Sequence, residues 1–292
     1  MKILFIGTVL FSKNILDEII KSKNEIVGVI GKRKSEFNSD YYDLVKYSKK
    51  KKIDTIYSDK INSIKIFRWI KKRKPDIIFC IGWSQLLNKK ILNIAPKGVI
   101  GYHPSDLPKN RGRHPIIWSL ALGLKNIGSS FFYMDSKADT GRIISKKMIK
   151  IKKNSDSNSI YKNLIKEGRK QIREIIFKMK KNKLYSFPQK NSQSNYWRKR
   201  SEIDGKIDWR MSADNINNLV KALTKPYPGA YFLLKEKKII RWKSKVINLN
   251  TRNFEPGKII EFNKHLVIKC GSKALKIITF HPKINLKRVK YL

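Results

Sequence analysis

The sequence predicts a two-domain chain, an α/β domain followed by a small β-rich domain of the open-barrel kind. Three observations carry that reading: short apolar runs alternate with helix-periodic stretches through the first 150 residues, a long amphipathic segment then gives way to a polar stretch before residue 195, and five strand-like runs crowd into residues 231–279.

Residues 2–6, 26–30, 77–81, 99–103 and 129–133 read as strands. The run Ile77-Ile78-Phe79-Cys80-Ile81 is apolar without a break, as a strand covered on both faces should be. Residues 12–21 set Ile15, Ile19 and Ile20 on one helix face, and Pro115 suits the first turn of a helix over 115–124. Ile160, Leu164, Ile165, Ile172, Ile175, Ile176 and Met179 recur with helical period and predict one long amphipathic helix. The polar stretch 182–195 reads as a linker, which sets the expected domains at 1–190 and 191–292. Ser212 is placed to cap a helix carrying Ile216, Leu219, Val220 and Leu223. The runs 231–234, 238–242, 258–262, 266–270 and 275–279, parted by turn residues such as Pro256-Gly257 and Gly271-Ser272, suggest the small barrel.

Lys and Arg outnumber Asp and Glu by 66 to 22, a net charge of +44, yet 41% of residues are hydrophobic and 11% aromatic. That excludes a disordered polycation. The basic residues are scattered, at 49–52, 71–74, 178–183, 198–200 and 287–290, and the chain is rich in Ile and Asn. An AT-rich coding bias accounts for such a composition better than a dedicated nucleic-acid surface does. Two cysteines, Cys80 and Cys270, with no CxxC exclude a disulfide framework and a four-cysteine zinc site, and point to a reducing, cytoplasmic compartment without a metal. No apolar run reaches the ~20 residues of a membrane span. The start, Met1-Lys2-Ile3-Leu4-Phe5-Ile6-Gly7, reads as a first strand rather than a signal peptide, because a helical pattern with Lys13 and Asp17 follows.

The first βα turn, Gly7-Thr8-Val9-Leu10-Phe11-Ser12, has one glycine where a dinucleotide fingerprint needs three, and there is no P-loop. Interest falls on His103-Pro104-Ser105-Asp106-Leu107-Pro108-Lys109-Asn110-Arg111-Gly112-Arg113-His114-Pro115, a polar loop leaving an apolar strand, where α/β sheets bind ligands. A second acidic loop, Asp135-Ser136-Lys137-Ala138-Asp139-Thr140-Gly141, follows another strand. An Asp beside a His can fix its tautomer for acid–base work. From the residues alone, a lone histidine such as His103 more often has a structural role, and Asp139 with Gly141 suits a plain turn equally well.

The pattern His103-Pro104-Ser105-x-Leu107-Pro108-x-x-Arg111-Gly112-x-x-Pro115 followed by Asp139-Thr140-Gly141 resembles the signature of the folate-dependent formyltransferases. Met1 to Ser12, Pro75-Asp76-Ile77-Ile78, Gly82-Trp83-Ser84-Gln85-Leu86-Leu87, Asp204-Gly205-Lys206-Ile207-Asp208-Trp209 and Pro226-Tyr227-Pro228-Gly229-Ala230-Tyr231 also fit, so the likeness spans nearly the whole chain. The resemblance implies a Rossmann-like formyltransferase domain and an OB-like barrel, with N10-formyltetrahydrofolate as co-substrate and a primary amine as acceptor. It gives His103 the amine's proton and makes Asp139 its partner. Leu86, Leu87 and the 135–139 loop would form the pterin pocket, with Trp83, Gln85, Arg111, Asp135 and Ala138 among the co-substrate contacts.

The chain departs from the family at Gly101, where typical members carry an Asn that donates to the oxyanion. Ser105, Asn110, His114, a backbone amide or a water are the candidates to replace it, and losing such a donor typically costs about 10² to 10³ in rate. Tyr196-Trp197-Arg198-Lys199-Arg200 and the 226–230 run look more like the sugar-nucleotide and aminoarabinose enzymes than the tRNA enzymes. A nucleotide-linked amino sugar is therefore the expected acceptor, with initiator methionyl-tRNA second, and an impaired module that binds nucleic acid or a metabolite as the non-enzyme alternative. Cys80 reads as a buried strand residue, and Cys270, His265 and His281 lack metal-ligand spacing. Trp83, Trp118, Trp209 and Trp242 suit core positions, and Lys71-Lys72-Arg73-Lys74 a helix end.

Overall fold

The computed structural model describes residues 1–34, 39–234, 236–249, 253–262, 265–281 and 289–292, so part of the basic run at 287–290 lies outside the described residues. The elements run β1 (Lys2–Ile6), α1 (Leu10–Lys21), β2 (Glu25–Gly31), α2 (Leu44–Lys49), β3 (Thr55–Tyr57), α3 (Ile64–Arg73), β4 (Ile77–Cys80), α4 (Lys89–Leu92) and β5 (Val99–His103). After them come β6 (Arg111–Gly112), α5 (Pro115–Ala121), β7 (Asn126–Tyr133), β8 (Ile143–Lys150), α6 (Ser157–Lys180) and β9 (Tyr196–Trp197). The chain ends with α7 (Ala213–Ala222), β10 (Ala230–Leu234), β11 (Lys237–Ile247), β12 (Ile259–Phe262), β13 (Leu266–Lys269) and β14 (Ala274–His281). They form two compact units: Met1–Gly112 with Gly128–Ile149 and Lys162–Trp197, and Arg113–Ile127 with Lys150–Tyr161 and Arg198–Leu292.

The first unit is built on a seven-stranded sheet of order β3-β2-β1-β4-β5-β7-β8. β1 lies parallel to β2 and β4, and β4 parallel to β5. The side chains of β4 are buried throughout, as its unbroken apolar run requires. Then the sheet changes direction, for β7 pairs antiparallel with β5 and sets Gly101 opposite Phe132 and His103 opposite Ser130. Gly7 lets the first turn approach the end of β4: a Cβ there would meet the Ile81 carbonyl at 2.6 Å, and the Ser12 hydroxyl donates to that same carbonyl at 2.6 Å. α1 buries Phe11, Ile15, Leu16 and Ile19, each contributing roughly 1.5–3 kcal/mol. α6, from Lys162 onward, packs on it where Gly168 faces the Phe11 ring, and its Arg169 and Arg173 donate to buried Glu18 of α1. α3 ends at Arg73, with the basic residues expected in its last turn and Lys74 left-handed beyond it.

The polar stretch expected as a linker is packed on this unit over much of its length. Phe187 exchanges two backbone hydrogen bonds with Ile143, Gln189 binds the carbonyls of Asp139 and Gly141, and β9 pairs with β6. Its amide side chains bond to protein backbone as readily as to water, which polarity in a sequence does not reveal.

In the second unit a five-stranded antiparallel sheet has the order β10-β11-β14-β13-β12 and contains all five expected strands. Ile239, Leu266, Ile268, Leu275 and Ile277 are buried in it, and Trp209 meets the edge of Phe232. Ser212 caps α7, accepting from Asn215, and α7 packs on α5, where Gly123 makes room for Asn218. Among the described residues no helix is long and apolar enough to cross a membrane.

Candidate active site

β5 carries Gly101 and His103 on one face of the sheet, two residues apart. His103 is 7% exposed and ends the strand. The 104–110 loop then folds back over it, tied by the Ser105 amide to the His103 carbonyl at 2.9 Å and by Lys146, which reaches Asp106 at 2.7 Å and the Leu107 carbonyl at 3.0 Å. At its end Asn110 turns left-handed, φ 62°, and puts its carbonyl 3.1 Å from His103 Nε2. Facing a carbonyl, Nε2 carries the hydrogen, so the neutral ring has its lone pair on Nδ1.

That Nδ1 looks at Asp139, with 3.8 Å to Oδ2. β7 leads its loop away from the end of the sheet where His103 lies, so Asp139 reaches the imidazole only because the chain folds back after Met134. Gly141 makes the return possible: a Cβ there would sit 1.7 Å from the Tyr133 carbonyl oxygen. Asp139 is itself left-handed, φ 59°, and its Oδ2 accepts the Gly112 amide at 3.0 Å. Gln189 holds the same turn, donating to the carbonyls of Asp139 at 2.9 Å and Gly141 at 2.7 Å.

Arg111 is 2% exposed. Its guanidinium donates to Gln189 at 2.8 and 3.2 Å, to Asn191 at 3.0 Å and to the Tyr196 hydroxyl at 3.0 Å. Those donors face the segment that holds Asp139. Gln189 is thus the link between Arg111 and Asp139, and nothing in its sequence surroundings marked it out. The Ser105 hydroxyl donates to the Lys109 carbonyl at 3.1 Å. His114 belongs to the second unit, where its Nδ1 accepts the Arg200 amide at 3.3 Å, and burial with Arg200 and Arg113 nearby pulls its pKa below the ordinary 6.5.

The 82–88 loop follows β4, the strand beside β5 in the sheet. Gln85 fixes it, donating to the Asp59 carbonyl at 2.7 Å and accepting from the Ile61 amide at 3.3 Å. Asn62 holds the Leu86 carbonyl at 2.9 Å while the Leu86 side chain stays 54% exposed. Leu87 points inward, 3% exposed and packed with Leu4, Cys80 and Ile91, so its side chain anchors the loop to the core. Trp83 Nε1 is buried with no hydrogen bond among the described residues. Asp135 accepts from Lys137 and Thr140 and shapes the turn before Asp139, with Asp135 and Ala138 both exposed. A fixed loop offering an exposed apolar side chain suits one face of a flat ring such as a pterin. Among the described residues no three His, Cys, Asp or Glu side chains cluster as a metal site.

The sequence matches the family model described as formyl transferase over residues 1–176 and that of the formyl transferase C-terminal domain over residues 199–287. Over 234 residues it is 40% identical to the bifunctional polymyxin resistance protein ArnA of Wigglesworthia glossinidia brevipalpis, an alignment covering 80% of this chain and 35% of that protein. The chain therefore spans about a third of that relative's length. Its fold is shared with WlaRD, a sugar 3N-formyl transferase solved with dTDP and 5-N-formyl-THF (20% identity, TM-score 0.73, 97% of this chain and 99% of that one). It is shared as well with an N-formyltransferase from Helicobacter canadensis in complex with folinic acid and dTDP-3-aminofucose (20% identity, TM-score 0.72, 95% and 98%). Methionyl-tRNA formyltransferase from Clostridium thermocellum is more distant in shape (16% identity, TM-score 0.59, 85% and 94%).

Proposed function

We propose that this chain, which belongs to the formyl transferase family, moves the formyl group of N10-formyltetrahydrofolate to the primary amine of a nucleotide-linked amino sugar. The observation that carries the proposal is the pair formed by buried His103 and half-buried Asp139, 3.8 Å apart between Nδ1 and Oδ2, with the Gly112 amide fixing the carboxylate at 3.0 Å.

N10-formyltetrahydrofolate supplies the electrophilic formyl carbon. The attacking nitrogen must shed a proton as it bonds, and Nδ1 of His103 is the ring atom free to take it. The imidazolium so formed lies against Asp139 and donates through Nε2 to the Asn110 carbonyl, so both new partial charges meet acceptors already in place. Leu86 would wall the pterin, with Leu87 beneath it, the backbone of the 82–88 loop would offer its polar edges partners, and the 135–139 loop would close the other side. The working domain in this proposal is the one expected over 1–190.

The acceptor reading is supported by the two sugar enzymes named above, one solved with dTDP and the other with a dTDP-amino sugar, which match nearly the full length of the chain. The test incubates purified protein and N10-formyltetrahydrofolate with dTDP- and UDP-linked amino sugars or with charged initiator methionyl-tRNA, and follows tetrahydrofolate release. Turnover with an amino sugar is expected. Turnover with the tRNA alone would overturn the acceptor, and turnover with none would leave a binding module in place of an enzyme.

A further inference from the structure

We infer that the side-chain amide of Asn110 donates the hydrogen bond that stabilises the oxyanion of the transfer. The inference rests on the formyl-transfer reading above and adds a residue to it.

The transfer needs such a donor. The amine lone pair forms the new C–N bond while the formyl C=O π pair moves to oxygen. When that pair returns, the bond to N10 breaks, and N10 leaves with its electrons and takes the proton that His103 accepted from the amine. Between those steps an anionic oxygen must be held close to His103.

Position 101, on the same strand face as His103, cannot supply the donor. It is glycine, and its side-chain space is taken: a Cβ there would lie 2.8 Å from Met134 Cγ, 3.2 Å from Met134 Sδ and 3.1 Å from Phe132 Cζ. Met134, itself half-buried, packs against two buried clusters, so the thioether has become part of the packing.

Most of the polar groups of the loop are spent as well. The amides of Ser105, Lys109, Asn110, Arg111 and Gly112 go respectively to the His103 carbonyl, the Asp106 carbonyl, Asn195 Oδ1, the Asn195 carbonyl and Asp139. The Ser105 hydroxyl is committed to Lys109, and Arg111 is sealed among Gln189, Asn191 and Tyr196. The Asn110 side-chain amide is different. Among the described residues it makes no hydrogen bond, it is half-buried, and it is carried by the residue whose own carbonyl sits 3.1 Å from His103 Nε2. One residue thus meets the imidazole through its main chain and has an N–H donor to spare.

A left-handed position also favours Asn for backbone reasons alone, so the test must separate conformation from chemistry. Asn110→Gly keeps the φ of 62° free of strain and removes the amide. We expect kcat to fall by about 10² to 10³ with KM for both substrates within threefold and the melting temperature near that of the unaltered chain. A loss below tenfold, or one carried by KM, overturns the inference. As a second arm, Gly101→Asn with Met134→Ala is added to Asn110→Gly, moving the amide to position 101 once its space is cleared. At least tenfold recovery of kcat is expected, and no recovery in a variant that melts normally also counts against an oxyanion role. Failure of the unaltered chain to turn over any amine would instead sink the function proposed above, so the two failures are distinguishable.

Discussion

Asp139→Asn keeps the size and the oxygen that the Gly112 amide needs at 3.0 Å, but removes the charge opposite His103. At 3.8 Å, an imidazolium and a carboxylate attract by about 4 kcal/mol if the effective dielectric constant is near 20, the value that suits partly buried pairs. The attraction exists only while the ring is charged, in the interval between taking the amine's proton and giving it up. It therefore lowers the barrier and leaves the ground state alone. At 1.36 kcal/mol per tenfold, its loss should reduce kcat by about 10³, less whatever water screens, with KM for folate and amine within a factor of three. The assay is steady-state tetrahydrofolate release at saturating concentrations of both substrates, with a melting curve for each protein to show that the fold is kept. A kcat within tenfold of the unaltered chain would refute the reasoning, and would mean that Asp139 is a turn residue facing a spectator histidine.

Three other predictions bear on the fold and its buried groups. Gln189→Leu leaves the buried Arg111 guanidinium only its bonds to Asn191 and Tyr196 and frees the 139–141 turn; it should lower stability by roughly 2–4 kcal/mol, seen as a lower melting temperature, and reduce kcat more than it raises KM. Burial pushes the Glu18 carboxyl up, but the hydrogen bonds from Arg169 and Arg173 outweigh it and hold the pKa below its ordinary 4.5. That contribution is complete above pH 4.5 and disappears as the pH falls through the folded value, so the deficit of Glu18→Gln, about 2 kcal/mol at pH 6, should shrink in denaturant unfolding toward pH 3. Burial raises the thiols of Cys80 and Cys270 to about 12, so neither should react with a thiol reagent at pH 8 until the chain is unfolded, when two thiols per chain should titrate.

The parts of the fold legible in the sequence are those whose burial imposes a pattern. β1, β4 and β5 lie inside the sheet, so most of their residues had to be apolar, and the runs announce themselves. α1, α6 and α7 show their periods because each has one face in a core. α2, α4 and β3 were not legible, being three to six residues long, too short for any period to repeat. Nor was the direction of β7, since an antiparallel neighbour buries the same residues as a parallel one.

The site was legible where a motif had to be spelled out residue by residue, and illegible where the structure needed a partner from far along the chain. Arg111 in a polar loop reads the same whether it meets a ligand or Gln189, because the sequence shows the guanidinium and hides the acceptor 78 positions on. Position 101 makes the same point in reverse. The glycine shows that a side chain is missing, but what matters chemically is whether its space is open to a ligand, and that depends on Met134, which the antiparallel pairing of β5 with β7 brings against it. A thioether there makes the change hard to reverse by one substitution, since Asn at 101 must first displace a packed side chain. Selection for an oxyanion donor then acts on whatever amide already lies beside His103, and Asn110, held left-handed with its carbonyl on the ring, is the residue in that place.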